Sequence, residues 1–197
     1  MIHEITELEP LTPFRRWFAA ASAAEDLAEA MTLATATRAG APSLRAVLLR
    51  GFDERGFVFY TNTDSSKAAA LDANPRAALC FHWKSLARQV RVEGDVARVA
   101  DSEADAYFAT RARESQIGAW ASDQSRVLAD RATLERRLAE ATSRFAETAA
   151  VPRPANWSGY RVTAQRIEFW QELPHRLHDR LVFIRDGETW RREILYP

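Results

Sequence analysis

At Met31 the apolar residues change from helical to alternating spacing, and much of the chain beyond is cut into short alternating runs by turn residues. Ahead of that point Phe14, Trp17, Phe18 and Ala21 recur at helical spacing behind Thr12-Pro13, a capping hydroxyl followed by a first-turn proline. Beyond it Met31, Leu33 and Thr35 put every second side chain on one face, and Arg38-Ala39-Gly40 turns the chain back into a run over residues 44–52. Strands of this kind must pair side by side. Turns this short join antiparallel neighbours, because a parallel connection needs a long crossover.

The pattern continues. Asp53-Glu54-Arg55-Gly56 is a turn, 57–62 a third strand, and 65–73 a short helix stopped by Asn74-Pro75. Residues 76–83 and 88–100 read as another strand pair, with Gly94 marking a bulge or bend in the second. Helical stretches come next, from Asp101 towards Arg111, over 115–121, and between 130 and 147. In the last, Leu134, Leu138, Ala141 and Phe145 share one face, while Arg131, Glu135, Arg136 and Glu140 take the solvated side. Val151-Pro152-Arg153-Pro154 leads into strands over 160–171, 181–185 and 189–195, the last two joined by an Asp186-Gly187 turn. The sum predicts an α+β protein on a small antiparallel β-barrel with flanking helices.

A chain of 197 residues, 47% of them hydrophobic, suffices for one core, so residues 1–197 are expected to form a single domain with 1–11 as a flexible arm. Lys plus Arg and Asp plus Glu are both 27, which gives no basic excess to condense on nucleic acid. Cys80 is the one cysteine, so no internal disulfide can form. The acidic start lacks a secretory pattern and no segment approaches a membrane span, so a soluble cytoplasmic protein is expected.

The familiar nucleotide loops, Walker and GxGxxG, are missing, as is a GxSxG elbow. His175 and His178 are a close pair with no third ligand at metal spacing, so no metal is expected. What remains is arginine beside hydroxyl groups, a combination that matches the oxygens of a phosphate monoester. Arg45 and Arg50 share a predicted strand. Tyr107, Arg111 and Ser115 are spaced four apart and on one helix would line one face, although surface groups can show the same spacing.

A longer series of motifs is more specific. Arg45-Ala46-Val47-Leu48-Leu49, Phe59-Tyr60-Thr61-Asn62, Ser65-Ser66-Lys67, Arg88-Gln89-Val90, Ser115-Gln116-Ile117-Gly118-Ala119-Trp120, Gln124-Ser125, Phe169-Trp170-Gln171 and Arg176-Leu177-His178-Asp179-Arg180 occur in that order. From about Met31 to Pro197 the chain resembles the pyridoxamine 5'-phosphate oxidase family. The resemblance implies a split β-barrel homodimer with flavin mononucleotide (FMN) at the subunit interface. It implies oxidation of pyridoxamine 5'-phosphate or pyridoxine 5'-phosphate to pyridoxal 5'-phosphate, with O2 as acceptor and H2O2 as product.

On the matching positions, the resemblance puts Arg45, Ser66, Lys67 and Arg180 at the FMN phosphate or nearby polar edges. Residues 46–49 and Arg50, with Tyr60, Thr61, Gln89, Gln124, Ser125 and Trp170, belong to the same cofactor site. Arg50, Tyr107, Arg111 and Ser115 would hold the substrate phosphate, and Arg176 and His178 would approach its ring as the catalytic pair. Four departures stand out. Arg50 replaces a usual lysine, Ser66 a usual arginine, the amino-terminal arm is short, and Asn156-Trp157-Ser158-Gly159 lacks the usual two glycines, which reads as a loop adjustment. A phenazine-pathway flavin oxidase of the same fold and a non-catalytic flavin-binding split barrel are the competing readings.

Overall fold

Among the described residues the alternating runs become nine strands and the helical ones five α-helices, in a computed structural model that describes residues 2–197 apart from the side chain of His3. In chain order they are α1 (Leu11–Ala24), β1 (Ala30–Ala36), β2 (Pro42–Leu48), β3 (Gly51–Asp53), β4 (Gly56–Asn62), α2 (Ser66–Ala73), β5 (Arg76–Trp83) and β6 (Arg88–Arg98). Then come α3 (Asp101–Ala109), α4 (Arg113–Ala121), α5 (Arg131–Arg144), β7 (Trp157–Gln171), β8 (Asp179–Asp186) and β9 (Thr189–Ile194).

All the pairings are antiparallel, in the order β2-β1-β5-β6-β7-β4-β3, with β8 added to β7 and β9 to β8. The long β7 organises the rest. One edge runs along β6, while the other is shared: Trp157 to Val162 pair with β4, and Arg166 to Gln171 pair with β8. The sheet therefore curls without closing and is split where β4 hands over to β8. At the bulge between Glu93 and Gly94, a Cβ on Gly94 would stand 2.1 Å from the Thr163 carbonyl oxygen, so only glycine lets β6 approach β7 there.

The inner face is filled by aromatic rings. Phe14 and Trp17 of α1 are buried among Phe57, Phe81, Trp83 and Phe169, with Phe14 edge-on to Phe57 at 4.9 Å and Trp17 edge-on to Phe169 at 5.3 Å. A second cluster, Phe108, Ile117, Ala141, Phe145 and Trp157, joins α3, α4 and α5 to the start of β7.

Several sequence expectations are corrected. The α1 cap is Glu9, whose carboxylate accepts from the N–H groups of Leu11 and Thr12; the Thr12 hydroxyl caps nothing. The run over 44–52 is two strands, because at Leu49 and Arg50 the chain leaves β1 and joins β4, Arg50 N donating to Val58 O. Leu138 of α5 is 43% exposed and Leu134 half-buried, so its apolar face is fully covered only at the Ala141 and Phe145 end. Ser158 and Gly159 lie in β7 opposite Thr61 and Tyr60 and are not a loop. The expected free arm is docked over its described part: Ile2 and Ile5 are buried, and Arg192 donates to the carbonyls of Ile5 and Thr6.

Candidate active site

Strands β2 and β4, helices α2 and α3, and the loop after α4 enclose a cavity of about 270 Å3 into which Arg50, Lys67, Arg111 and Gln124 project, with residues 46–48 along one wall. An adjoining recess of about 380 Å3 shares Tyr60, Thr61, Arg111, Gln124 and Trp157 with it and reaches Ser115. Leu49 is buried at the end of β2.

Lys67 sits in the first turn of α2, where a cation opposes the helix dipole. It is 7% exposed, and Nζ donates to three neutral oxygens: Thr61 Oγ1 at 3.1 Å, Gln124 Oε1 at 3.1 Å and Ser65 Oγ at 3.2 Å. Burial pushes its pKa down, and the charge of Arg45 pushes the same way. Arg45 is likewise held by neutral oxygens, those of Leu33 (carbonyl), Thr35 and Ser43. Ser66 Oγ lies 3.4 Å from Ser125 Oγ, which ties α2 to the loop carrying Gln124. Two cations in one place without a carboxylate is an arrangement that an anion completes.

Arg111 lies in the break between α3 and α4, close to where the sequence separates the two helical stretches, so Tyr107, Arg111 and Ser115 do not line the face of one helix. The three still converge on the paired recesses, because the break brings α4 back alongside. Burial lowers the Arg111 pKa, with Arg50 adding to the fall and Tyr107 opposing it, and its Nη1 is buried without a hydrogen-bond partner. Arg50 is 3.6 Å from Glu29.

A second group of side chains lies at the far end of β7. Gln89, Trp170 and Arg180 stand in one row across β6, β7 and β8. Arg180 is gripped by Glu168, which is 2% exposed: its Nε and Nη2 both meet Oε1 at 2.8 Å. The His178 ring is 4.7 Å from that of Trp170, and its Nδ1 accepts from Leu173 N at 3.2 Å, so the neutral ring carries its proton on Nε2. His175 and Arg176 both have left-handed backbone, φ +60 and +62, and this strained turn presents Arg176 to solvent.

Trp157 and Trp170 mark the two groups. Thirteen residue steps separate them, a path of roughly 40 Å measured along the curled strand. Arg111 beside Trp157 and His178 beside Trp170 therefore belong to opposite ends of β7.

Comparison with known proteins agrees with the motifs. Residues 19–145 match the family described as pyridoxamine 5'-phosphate oxidase, and residues 157–197 match the pyridoxine 5'-phosphate oxidase C-terminal dimerisation region. The chain belongs to the pyridoxamine 5'-phosphate oxidase family. Similar members are the pyridoxine/pyridoxamine 5'-phosphate oxidases of Sphingopyxis alaskensis, 60% identical over 96% of this chain and 88% of that one, and of Rubrobacter xylanophilus, 58% identical over 96% and 87%. Among solved structures, PhzG of Burkholderia lata 383 in complex with tetrahydrophenazine-1-carboxylic acid superposes with a TM-score of 0.91 at 33% identity, covering 98% of this chain and 95% of that one. An FMN-binding protein of Nostoc punctiforme related to pyridoxamine 5'-phosphate oxidase shares the fold, with a TM-score of 0.76 at 17% identity over 98% and 100%. The family match thus begins at residue 19, upstream of the first motif, and its dimerisation region contains Trp170, Arg176, His178 and Arg180.

Three residues were not assigned to the site from the sequence. Trp157 stacks on Tyr60 with centroids 5.2 Å apart, Glu168 grips Arg180, and Glu29 faces Arg50. Only Glu168 left a usable signal, an acid two residues before Trp170 and so on the same strand face.

Proposed function

We propose that this chain is an FMN-dependent oxidase of pyridoxine 5'-phosphate and pyridoxamine 5'-phosphate, working as a homodimer whose two sites lie at the subunit interface and each draw on both copies. The observation that carries the reading is the set of buried and half-buried cations without anions: Lys67 and Arg45 among neutral oxygens, and Arg111 with an unused donor. They fit two phosphates, one on each ligand. The half-buried Cys80, which has no partner for an internal disulfide, suits the reducing cytoplasm.

Arg45, Lys67 and Ser66 would hold the FMN phosphate with Arg180 of the other copy. Tyr60, Thr61, Gln124 and Ser125 from one copy, with Gln89 and Trp170 from the other, would fix the ring system. FMN held there would supply two-electron oxidation of the substrate's C4' carbon, with O2 as final acceptor and H2O2 as product; the alcohol would give the aldehyde directly, and the amine would also take up water and release ammonia. Arg50, Tyr107, Arg111 and Ser115 would anchor the substrate phosphate, which fixes the distance from that anchor to the reacting carbon. Arg176 would orient the ring and favour negative charge on it, while His178 offers its Nε2 proton to a ring oxygen.

The phenazine reading is weaker on two counts. The relatives with pyridoxine/pyridoxamine names are 60% and 58% identical against 33% for PhzG, and Arg50, Tyr107, Arg111 and Ser115 together offer more donors than a single carboxylate uses, a number that suits a phosphate. A protein that merely binds flavin has no need of Arg176 and His178. The decisive experiment is anaerobic: purified yellow protein should bleach on addition of pyridoxine 5'-phosphate or pyridoxamine 5'-phosphate. A protein that stays yellow with both is no oxidase of these compounds.

A further inference from the structure

Arg111 is held without a counterion. Arg50 faces Glu29, and Arg180 is gripped by Glu168, but no carboxylate pairs with Arg111 among the described residues. Its guanidinium carbon lies 5.0 Å from the centre of the Trp157 ring and 5.5 Å from that of Phe108. The Trp157 ring is itself immobilised. It is 7% exposed, packs parallel to Tyr60 at 5.2 Å and to Tyr107 at 6.1 Å, and meets Phe108 edge-on at 4.9 Å. Its backbone is pinned as well, with Trp157 O accepting from Arg153 at 2.6 Å and Trp157 N donating to Pro154 O at 3.0 Å.

The chemistry explains the choice of an aromatic platform. A carboxylate would also hold the guanidinium, but it would take two of its donors and cancel its charge. A π face attracts the cation while leaving every N–H free, and the attraction strengthens as water is excluded.

We infer that Trp157 is the positioning residue for Arg111, presenting its guanidinium with charge and donors unspent, and that it thereby sets the preference for a phosphate monoester over the unphosphorylated compound. The inference rests on the role of Arg111 given under Proposed function. Nothing in the family motifs assigns Trp157 a part in the site.

The test uses the FMN-loaded dimer and pyridoxal 5'-phosphate, the product under that reading, as the calorimetric probe. Trp157→Leu keeps apolar bulk and removes the ring; its Kd for the probe should rise about tenfold or more, as expected for losing a desolvated cation–π contact. Trp157→Phe, with a smaller π face, should show a rise of about threefold, and FMN affinity should stay within about twofold in both. In an Arg111→Ala background Trp157→Leu should add nothing, because its effect passes through the arginine. Unchanged probe affinity in Trp157→Leu, or an equal loss with and without Arg111, overturns the inference. Should the leucine variant not fold, the phenylalanine variant decides, and no rise in its Kd counts against the role. A wild-type protein that binds the probe no better than Arg111→Ala does instead removes the phosphate role of Arg111, and this inference with it.

Discussion

Lys67 Nζ lies 3.1 Å from Gln124 Oε1, a contact between positions 57 residues apart that brings no negative charge to the lysine. Because burial and Arg45 lower its pKa, the native state binds this proton less tightly than the unfolded state does. The cost of the buried cation is therefore full below the folded-state pKa and is relieved as pH rises towards the ordinary lysine value. Lys67→Met should raise the melting temperature of the flavin-free protein at neutral pH, by roughly 2–4 °C if about 1 kcal/mol is relieved. The same change should weaken FMN binding about tenfold or more, since the phosphate loses a charged donor. Thermal melts with and without FMN read both effects, and a destabilised flavin-free variant would contradict the account.

Arg111 and His178 stand by opposite ends of β7, and in sites that would each draw on both copies this predicts complementation. Arg111→Ala and His178→Ala dimers should each be impaired. When the two chains are mixed and allowed to exchange, half the dimers are hybrids with one intact site, so activity should return to roughly a quarter of wild type. Steady-state assay of the exchanged mixture checks this, and no recovery would place both residues in one chain's site.

Burial pushes the phenols of Tyr60 and Tyr160 up to about 12, helped by the charge of Glu103 at the first and of Asp72 at the second. A raised acid of this kind contributes stability that is complete below the ordinary pKa of 10.0 and is lost as pH climbs through about 12. Ultraviolet titration should show two late phenolates, one removed by Tyr60→Phe and one by Tyr160→Phe. Denaturant stability of the wild type should fall over that same interval.

Two glycines make separable predictions. A Cβ at Gly94 would strike the Thr163 carbonyl oxygen, so Gly94→Ala should cost about 1–3 kcal/mol in chemical denaturation with little effect on ligand affinity. At Gly159 the Cβ would meet the Tyr60 ring at 2.7 Å. Gly159→Ala should therefore displace the Tyr60–Trp157 stack and raise KM as well, which steady-state kinetics would show.

The strands were legible because their alternation is a local property, and so was the Gly94 bulge. Partner switching was not. Residues 44–52 alternate as one strand, yet the chain changes neighbours at Arg50, and that depends on where β1 and β4 lie. The break near Arg111 was legible as a boundary between two helical stretches, but four-residue spacing could not say whether Tyr107, Arg111 and Ser115 would still meet across it. Lys67 and Arg111 could be named from motifs, but their lack of counterions could not, since it depends on every surrounding side chain. Trp157 looked like part of a loop because its strand begins beside β4, far away in sequence.

The 15 residues of β7 also act as a ruler. In a dimer whose sites each combine the near end of one β7 with the far end of the other, the distance between the two flavins is counted in residues of a single strand. Inserting one residue would turn every later side chain to the opposite face. Inserting two would restore the facing but move the sites apart by roughly 7 Å, so the strand can change length only together with the contacts at both its ends.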